Sequence, residues 1–186
     1  MIVLVLGGTR SGKSELAERL ARDLAAPHGA VTYVATASAR DDDDFRGRIT
    51  RHRDRRPREW TTVEVDDNLP EVVATLAGVV LIDSLGAWVA ACDFAADTDA
   101  LVASLQARAA PTVVVSEEVG LGVHPPTALG VRFADALGDA NRALAGIAQH
   151  TVFVAAGRTI ELHDADAVVG TIARRVSRDD SETRRA

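Results

Sequence analysis

One cysteine, Cys92, is all the thiol chemistry in 186 residues. An intramolecular disulfide and a cysteine-built metal cluster are both excluded, and a reducing cytosol suits such a chain. Long apolar runs are missing too. Met1 to Leu6 is apolar, but it falls far short of the roughly 20 residues that span a bilayer, has no basic n-region and leads straight into glycines. Membrane insertion is therefore not expected, and a soluble cytoplasmic protein is. Positive charge is not in excess either. The formal net charge is −6 and the pI is near 5.3, whereas a non-specific binder of nucleic acid carries a net basic face. No stretch is rich enough in Pro, Gly or Ser to act as a linker, and no repeat divides the chain. What is present, 47% apolar and 26% charged residues, fits one globular domain with a sizeable core.

The apolar residues come in two alternating patterns. Short β-branched runs at Ile2–Leu6, Val31–Ala35, Val79–Asp83, Thr112–Ser116 and Thr151–Ala155 are almost uniformly apolar, as strands buried on both faces are. Between them, helical spacing predicts helices over Lys13–Ala25, Asp41–Arg56, Leu69–Ala77, Asp97–Ala109 and Leu129–His150, while Trp60–Val65 reads as an edge strand or an extended connection. Such alternation implies a single doubly wound α/β domain, a mainly parallel sheet flanked by helices, over residues 1–165. Residues 166–186 read as a polar, poorly ordered tail.

The first chemical motif is "GGTRSGKS", Gly7, Gly8, Thr9, Arg10, Ser11, Gly12, Lys13 and Ser14, which matches the P-loop pattern directly after a predicted strand and before a predicted helix. With glycine near 7% of residues, a chance match in such a chain comes at under about one per cent. The glycines let successive N–H groups turn inward on phosphate oxygens, and the following helix adds its dipole. Lys13 is expected to reach the β- and γ-phosphates and Ser14 to join a Mg²⁺ shell. "VVLID" ends an apolar run in Asp83, the Walker B form, whose carboxylate would hold the same ion; an acid there also serves as a helix cap. Together they make a nucleoside triphosphate site of the P-loop NTPase type, without saying what becomes of the triphosphate.

A second stretch, "RITRHRDRRPREW" at residues 48–60, sets one histidine, His52, among arginines. On the expected helix Arg48, His52 and Arg56 share a face, with Arg55 close by. Crowded cations favour the neutral imidazole, whose lone pair could attack phosphorus while the arginines hold the oxygens. Read locally, the stretch is better taken as a solvated basic helix face in which His52 is incidental, since charge runs are usually surface.

Several blocks together resemble the bifunctional adenosylcobinamide kinase / adenosylcobinamide-phosphate guanylyltransferase family of cobalamin biosynthesis. They are "LGGTRSGKSELAERLA", "VTYVATA", "RITRHRDRRPREWTTVEV", "VVLIDSLGAWV", "VVVSEEVGLGVHPPTALGVRFADALGDANRALA" and "VFVAAGRTIEL", in order from residue 1 to about 162. The resemblance implies that His52 carries GMP as a covalent intermediate. It implies nucleotide contacts from the phosphate loop, from Ala35, Thr36 and Ala37, from Arg53, Asp54, Arg55 and Arg56, from Glu64 and from Asp83. It further implies ATP and GTP as substrates with Mg²⁺, a corrinoid acceptor and a homotrimer, in which Asn141, Arg132 and Asp135 could face a neighbouring subunit. Two departures stand out: Ala90 and Ala91 where many relatives have asparagine, and Ser116-Glu117-Glu118 where many have Ser-Asn-Glu. Glu118 stays in register as a metal-water or base residue, or as a turn residue. His28, His124, His150 and His163 read as structural or solvated. A different small-molecule P-loop kinase would have no need of His52, and a non-enzymatic nucleotide switch would bind GTP without a covalent step.

Overall fold

A computed structural model describes residues 1–26, 29–36, 57–171 and 174. The expected helix Asp41–Arg56, together with Ala37, Arg48, His52, Arg53, Asp54, Arg55, Arg56, His28 and most of the tail, lies outside the described residues.

The described chain runs β1 (Ile2–Gly7), α1 (Lys13–Ala25), β2 (Val31–Ala35), β3 (Thr61–Glu64), α2 (Leu69–Thr75), β4 (Val79–Asp83), α3 (Leu85–Ala91), α4 (Thr98–Ala107), β5 (Thr112–Glu117), α5 (Ala128–Ala145), β6 (His150–Ala155) and β7 (Arg158–Leu162). The strands form one seven-stranded sheet in the order β3-β2-β4-β5-β1-β6-β7. All pairings are parallel except β6 with β7. Side chains alternate across a strand, so β1 sends Ile2, Leu4 and Leu6 to one core and Val3 and Val5 to the other. The first core is closed by α2, α3, α4 and α5 through Leu69, Trp88, Leu101 and Leu137, among others. The second is closed by Ala17 and Ala21 of α1. Covering both faces is what leaves β1, β4 and β5 almost wholly buried, as expected of parallel strands. Among the described residues no helix is long and apolar enough to cross a membrane.

Three elements differ from the sequence reading. The long helix stops at Ala145, and His150 opens β6 instead of ending a helix. Gly146 takes the helix end, and Gln149 is drawn into the sheet by N–H donation to Ile2 O at 3.0 Å while its Oε1 accepts from Ile2 N at 2.6 Å. Pairing with β1 outweighs helical periodicity there. Helix α3 and strand β7 were not expected. β7 is joined to β6 through Ala156 (φ 49°) and Gly157 (φ 71°), the left-handed pair that a two-residue hairpin turn needs. Residues 165–171 are helical, with Asp164 Oδ1 accepting from Ala167 N at 3.0 Å. Trp60–Val65 resolves into the edge strand β3, parallel to β2.

Arg108 fastens the sheet's lower rim. Its guanidinium donates to the carbonyls of Val73 at 3.1 Å, Leu76 at 2.5 Å and Gly78 at 2.6 Å and to Thr112 Oγ1 at 3.0 Å, joining the end of α2 to the starts of β4 and β5. At this half-exposed site each of the four bonds is worth about 0.5–0.8 kcal/mol net. Arg108→Ala is expected to cost about 2–3 kcal/mol and lower the thermal midpoint by roughly 5–10 °C, read by circular dichroism. A midpoint shift under 2 °C would show that these bonds contribute little.

Candidate nucleotide site

The site is built at the carboxyl ends of the strands, where parallel sheets open. β1 ends in Gly7, and the chain turns back through Thr9 and Arg10, both exposed, into α1. Two glycines make this turn possible. A Cβ on Gly7 would lie 2.6 Å from both Ser11 Oγ and Val154 O, so nothing larger fits between the loop and β6. Gly12 sits at φ 95°, the left-handed region that ordinary residues avoid, as the residue before α1. Ser11 N donates to Gly8 O at 3.3 Å, Ser11 Oγ accepts from Lys13 N at 3.3 Å, and Gly157 N of the β6–β7 turn donates to Ser11 O at 2.9 Å. The unexpected hairpin thus braces the loop from below. Lys13 Nζ folds over the loop and donates to Gly8 O at 3.4 Å.

Three carboxylates come near this loop, and they are held differently. Asp83 ends β4, accepting from Ser14 Oγ at 3.4 Å and from Tyr33 OH at 2.7 Å. Tyr33 sits on β2 with 1% of its surface exposed, so its phenol fixes the Asp83 side chain from the adjacent strand. Ser14 and Asp83 are hard oxygen donors at a spacing that two neighbouring positions of an octahedral shell can meet, given Mg²⁺–oxygen distances of about 2.1 Å. Among the described residues no three His, Cys, Asp or Glu converge as a metal cage. Glu117 ends β5 with Oε1 3.7 Å from Lys13 Nζ. Burial pushes its carboxyl up from the usual range, Lys13 and then Ser84 pull it down, and Asp83 adds to the rise. Glu118, by contrast, folds onto its own turn and accepts from Gly120 N at 2.6 Å; of the roles open to it, the structure shows the turn.

The sheet register brings several of the expected residues to one level. Ala35 pairs with Asp83 on one side and with Glu64 on the other, and Gly7 pairs with Glu117. Thr36 is fully buried; its Oγ1 donates to Ser84 O at 2.5 Å and accepts from Ser84 N at 2.9 Å. Its side chain therefore staples the end of β2 to the turn after Asp83. Glu64 is exposed on the edge strand, four strand spacings, about 19 Å, across the sheet from Gly7. It shares the rim of the site without touching the loop.

Other residues singled out in the sequence find local partners. Asn141 is buried within the chain, and its Nδ2 donates to Glu117 O at 3.1 Å. Arg132 lies 5.4 Å over the Phe94 ring and donates to Asp93 O at 3.4 Å. His150 pairs with Glu161 at 2.7 Å on the surface, and His124 is exposed. Burial, then Asp67 and Asp93, push the Cys92 thiol up, which leaves little reactive thiolate. Sequence reasoning missed Tyr33 and Glu117. The only available signal for Glu117 was the extra acid beside Glu118, and Tyr33 carried none beyond its place in an apolar strand.

A strand that closes through glycines onto a helix, with the lysine turned over the loop and a strand-end aspartate against the helix serine, marks the P-loop nucleotide-binding proteins. Comparison with known proteins narrows the class. Residues 3–162 match the model of the cobinamide kinase / cobinamide phosphate guanyltransferase family, and the chain belongs to that family. The bifunctional adenosylcobalamin biosynthesis protein CobP of Pseudomonas aeruginosa is 37% identical to it, over 86% of this chain and 95% of that one. The bifunctional adenosylcobalamin biosynthesis proteins CobU of Escherichia coli and Salmonella typhimurium are 32% and 34% identical, each over 87% of this chain and 99% of theirs. Flagellar accessory protein FlaH from Methanocaldococcus jannaschii shares 16% identity at a TM-score of 0.49, over 85% of this chain and 74% of that one.

Proposed function

We propose that this chain phosphorylates adenosylcobinamide with a nucleoside triphosphate and then transfers GMP from GTP to the phosphorylated product through a covalent histidine intermediate. The observation that carries the reading is a family match over residues 3–162 that includes both the phosphate loop and the stretch around His52. The geometry of Lys13, Ser14 and Asp83 supports it.

In the first reaction the aminopropanol hydroxyl of adenosylcobinamide attacks the γ-phosphorus. The bond to the β–γ bridging oxygen breaks, its electron pair leaves on the nucleoside diphosphate, and the hydroxyl proton is released to water. Lys13, poised over the loop, meets the β- and γ-oxygens as their charge grows, while loop N–H groups hold the chain of phosphates in line. Ser14 and Asp83 would hold Mg²⁺, which would supply electrostatic neutralisation of those oxygens. In the second reaction the neutral imidazole of His52 attacks the α-phosphorus of GTP and pyrophosphate leaves. A phosphate oxygen of adenosylcobinamide phosphate then attacks the phosphoramidate phosphorus, the nitrogen–phosphorus bond breaks, and adenosylcobinamide-GDP forms. Two easier displacements replace one. Ala35, Thr36, Ala37, Arg53, Asp54, Arg55, Arg56 and Glu64 complete the nucleotide contacts in this reading. A cytoplasmic homotrimer belongs to it as well, with a sedimentation mass three times the 19.6 kDa chain.

Incubation with α-labelled GTP and Mg²⁺ tests the covalent step. The protein is expected to take up label that is stable to base, released by acid, and chased off by cobinamide phosphate. Label that never becomes covalent would leave a P-loop kinase or a nucleotide switch in its place.

A further inference from the structure

β5 lies between the strand that ends in the phosphate loop and the strand that ends in Asp83, so Glu117 at its tip comes close to both. Oε1 faces the Lys13 ammonium at 3.7 Å. Among the described residues Oε2 is shut off from solvent and has no partner at hydrogen-bond geometry, although the Ser84 hydroxyl also favours the ionised carboxyl. It fits there because residue 86, at the start of α3, is glycine: a Cβ at that position would collide with Oε2. The backbone is pinned from behind, where Asn141 Nδ2 donates to Glu117 O. A carboxyl seated this way faces the ammonium of the one lysine of the chain, Lys13.

The same ammonium cannot serve two anions equally. A triphosphate on the loop draws Lys13 toward its β- and γ-oxygens, and every step in that direction strips Glu117 of its facing cation in a site closed to solvent around its other oxygen. An uncompensated, partly buried charge is costly. Moreover, the carboxylate and the incoming phosphates repel each other directly. We propose that Glu117 is a positioning residue: it holds Lys13 as a resident counter-ion in the empty loop and competes with the triphosphate for it, so that nucleotide binds more weakly than the loop alone would allow. The proposal rests on the reading of the loop as a triphosphate site.

A double-mutant cycle on the full chain separates competition for Lys13 from simple repulsion and from packing. The probes are β,γ-imido-GTP with Mg²⁺ and, as a ligand too short to reach Lys13, GMP. Glu117→Gln keeps the shape and removes the charge. It is expected to bind the imido analogue about tenfold tighter than wild type and to change GMP affinity less than twofold. In the Lys13→Ala background the same substitution is expected to change imido-GTP affinity less than threefold. Equal tightening in both backgrounds would overturn the proposal in favour of plain charge repulsion. Weaker binding by both Glu117→Gln and Glu117→Asn would overturn it in favour of a carboxylate that assists the nucleotide. Glu117→Asn carries the test if the glutamine variant melts more than a few degrees early. Wild-type protein that binds no nucleoside triphosphate would instead sink the reading of the loop itself.

Discussion

His52→Ala protein, incubated with α-labelled GTP and Mg²⁺, is expected to carry no covalent label, a loss of at least about 10³-fold in guanylyl transfer, since a nucleophile that acts through a bond has no partial substitute. ATP-dependent phosphorylation of cobinamide by the same protein is expected to stay within about threefold of wild type. The contrast follows from the chemistry of the two displacements. Attack on the γ-phosphorus brings its own nucleophile, the acceptor hydroxyl, whereas attack on the α-phosphorus needs one from the protein. A circular dichroism spectrum matching wild type makes the comparison fair. Loss of both activities in a still-folded variant would refute the division of labour, and label retained on the alanine protein would remove His52 from the mechanism.

Lys13→Ala is expected to behave in the opposite way and weaken both reactions together, each by roughly 10²–10³-fold, the scale for removing one preorganised charge from a phosphoryl-transfer site. Lys13 is fixed at the mouth of the loop by Gly8 O on one side and Glu117 on the other. The position serves the oxygens of any triphosphate seated there. Whichever phosphorus is attacked, the leaving group carries β-phosphate charge, so one lysine contributes to both. Steady-state rates for the two half-reactions, measured separately, check this. A Lys13→Ala protein impaired in only one of them would show that the two reactions use the triphosphate in different seats.

Much of this protein is written locally. The runs Ile2–Leu6, Val31–Ala35 and Val79–Asp83 are strands because β-branched residues fill a pleated surface buried on both sides, and the structure places strands at each of them. The phosphate loop is legible because its glycines, lysine and serine lie within eight consecutive residues, and the backbone they dictate needs little help from elsewhere. Asp83 is legible by its place at a strand's end. The resemblance carried by "RITRHRDRRPREW" likewise needs only consecutive residues.

What depends on neighbours was hidden. Leu129–His150 has helical spacing, yet the helix stops at Ala145 and His150 pairs with β1 as the first residue of β6; a periodic pattern cannot show that a waiting strand edge offers more than another turn of helix. β7 is exposed along its whole length, so it has no buried face to reveal it, and only its turn at Ala156–Gly157 gave a cue. Glu117 and Glu118 are adjacent acids with the same chemistry. The register of β5 against β1, with Gly7 opposite Glu117, turns one toward Lys13 and leaves the other to cap its own turn. Tyr33 reaches Asp83 across 50 positions of sequence. Sequence by itself determined the five inner strands, the phosphate loop and the family, because those rest on short-range sterics and on consecutive residues. Only the tertiary structure decided which carboxylate faces the lysine and which tyrosine steadies the aspartate, because such choices are made by strand pairing between distant segments.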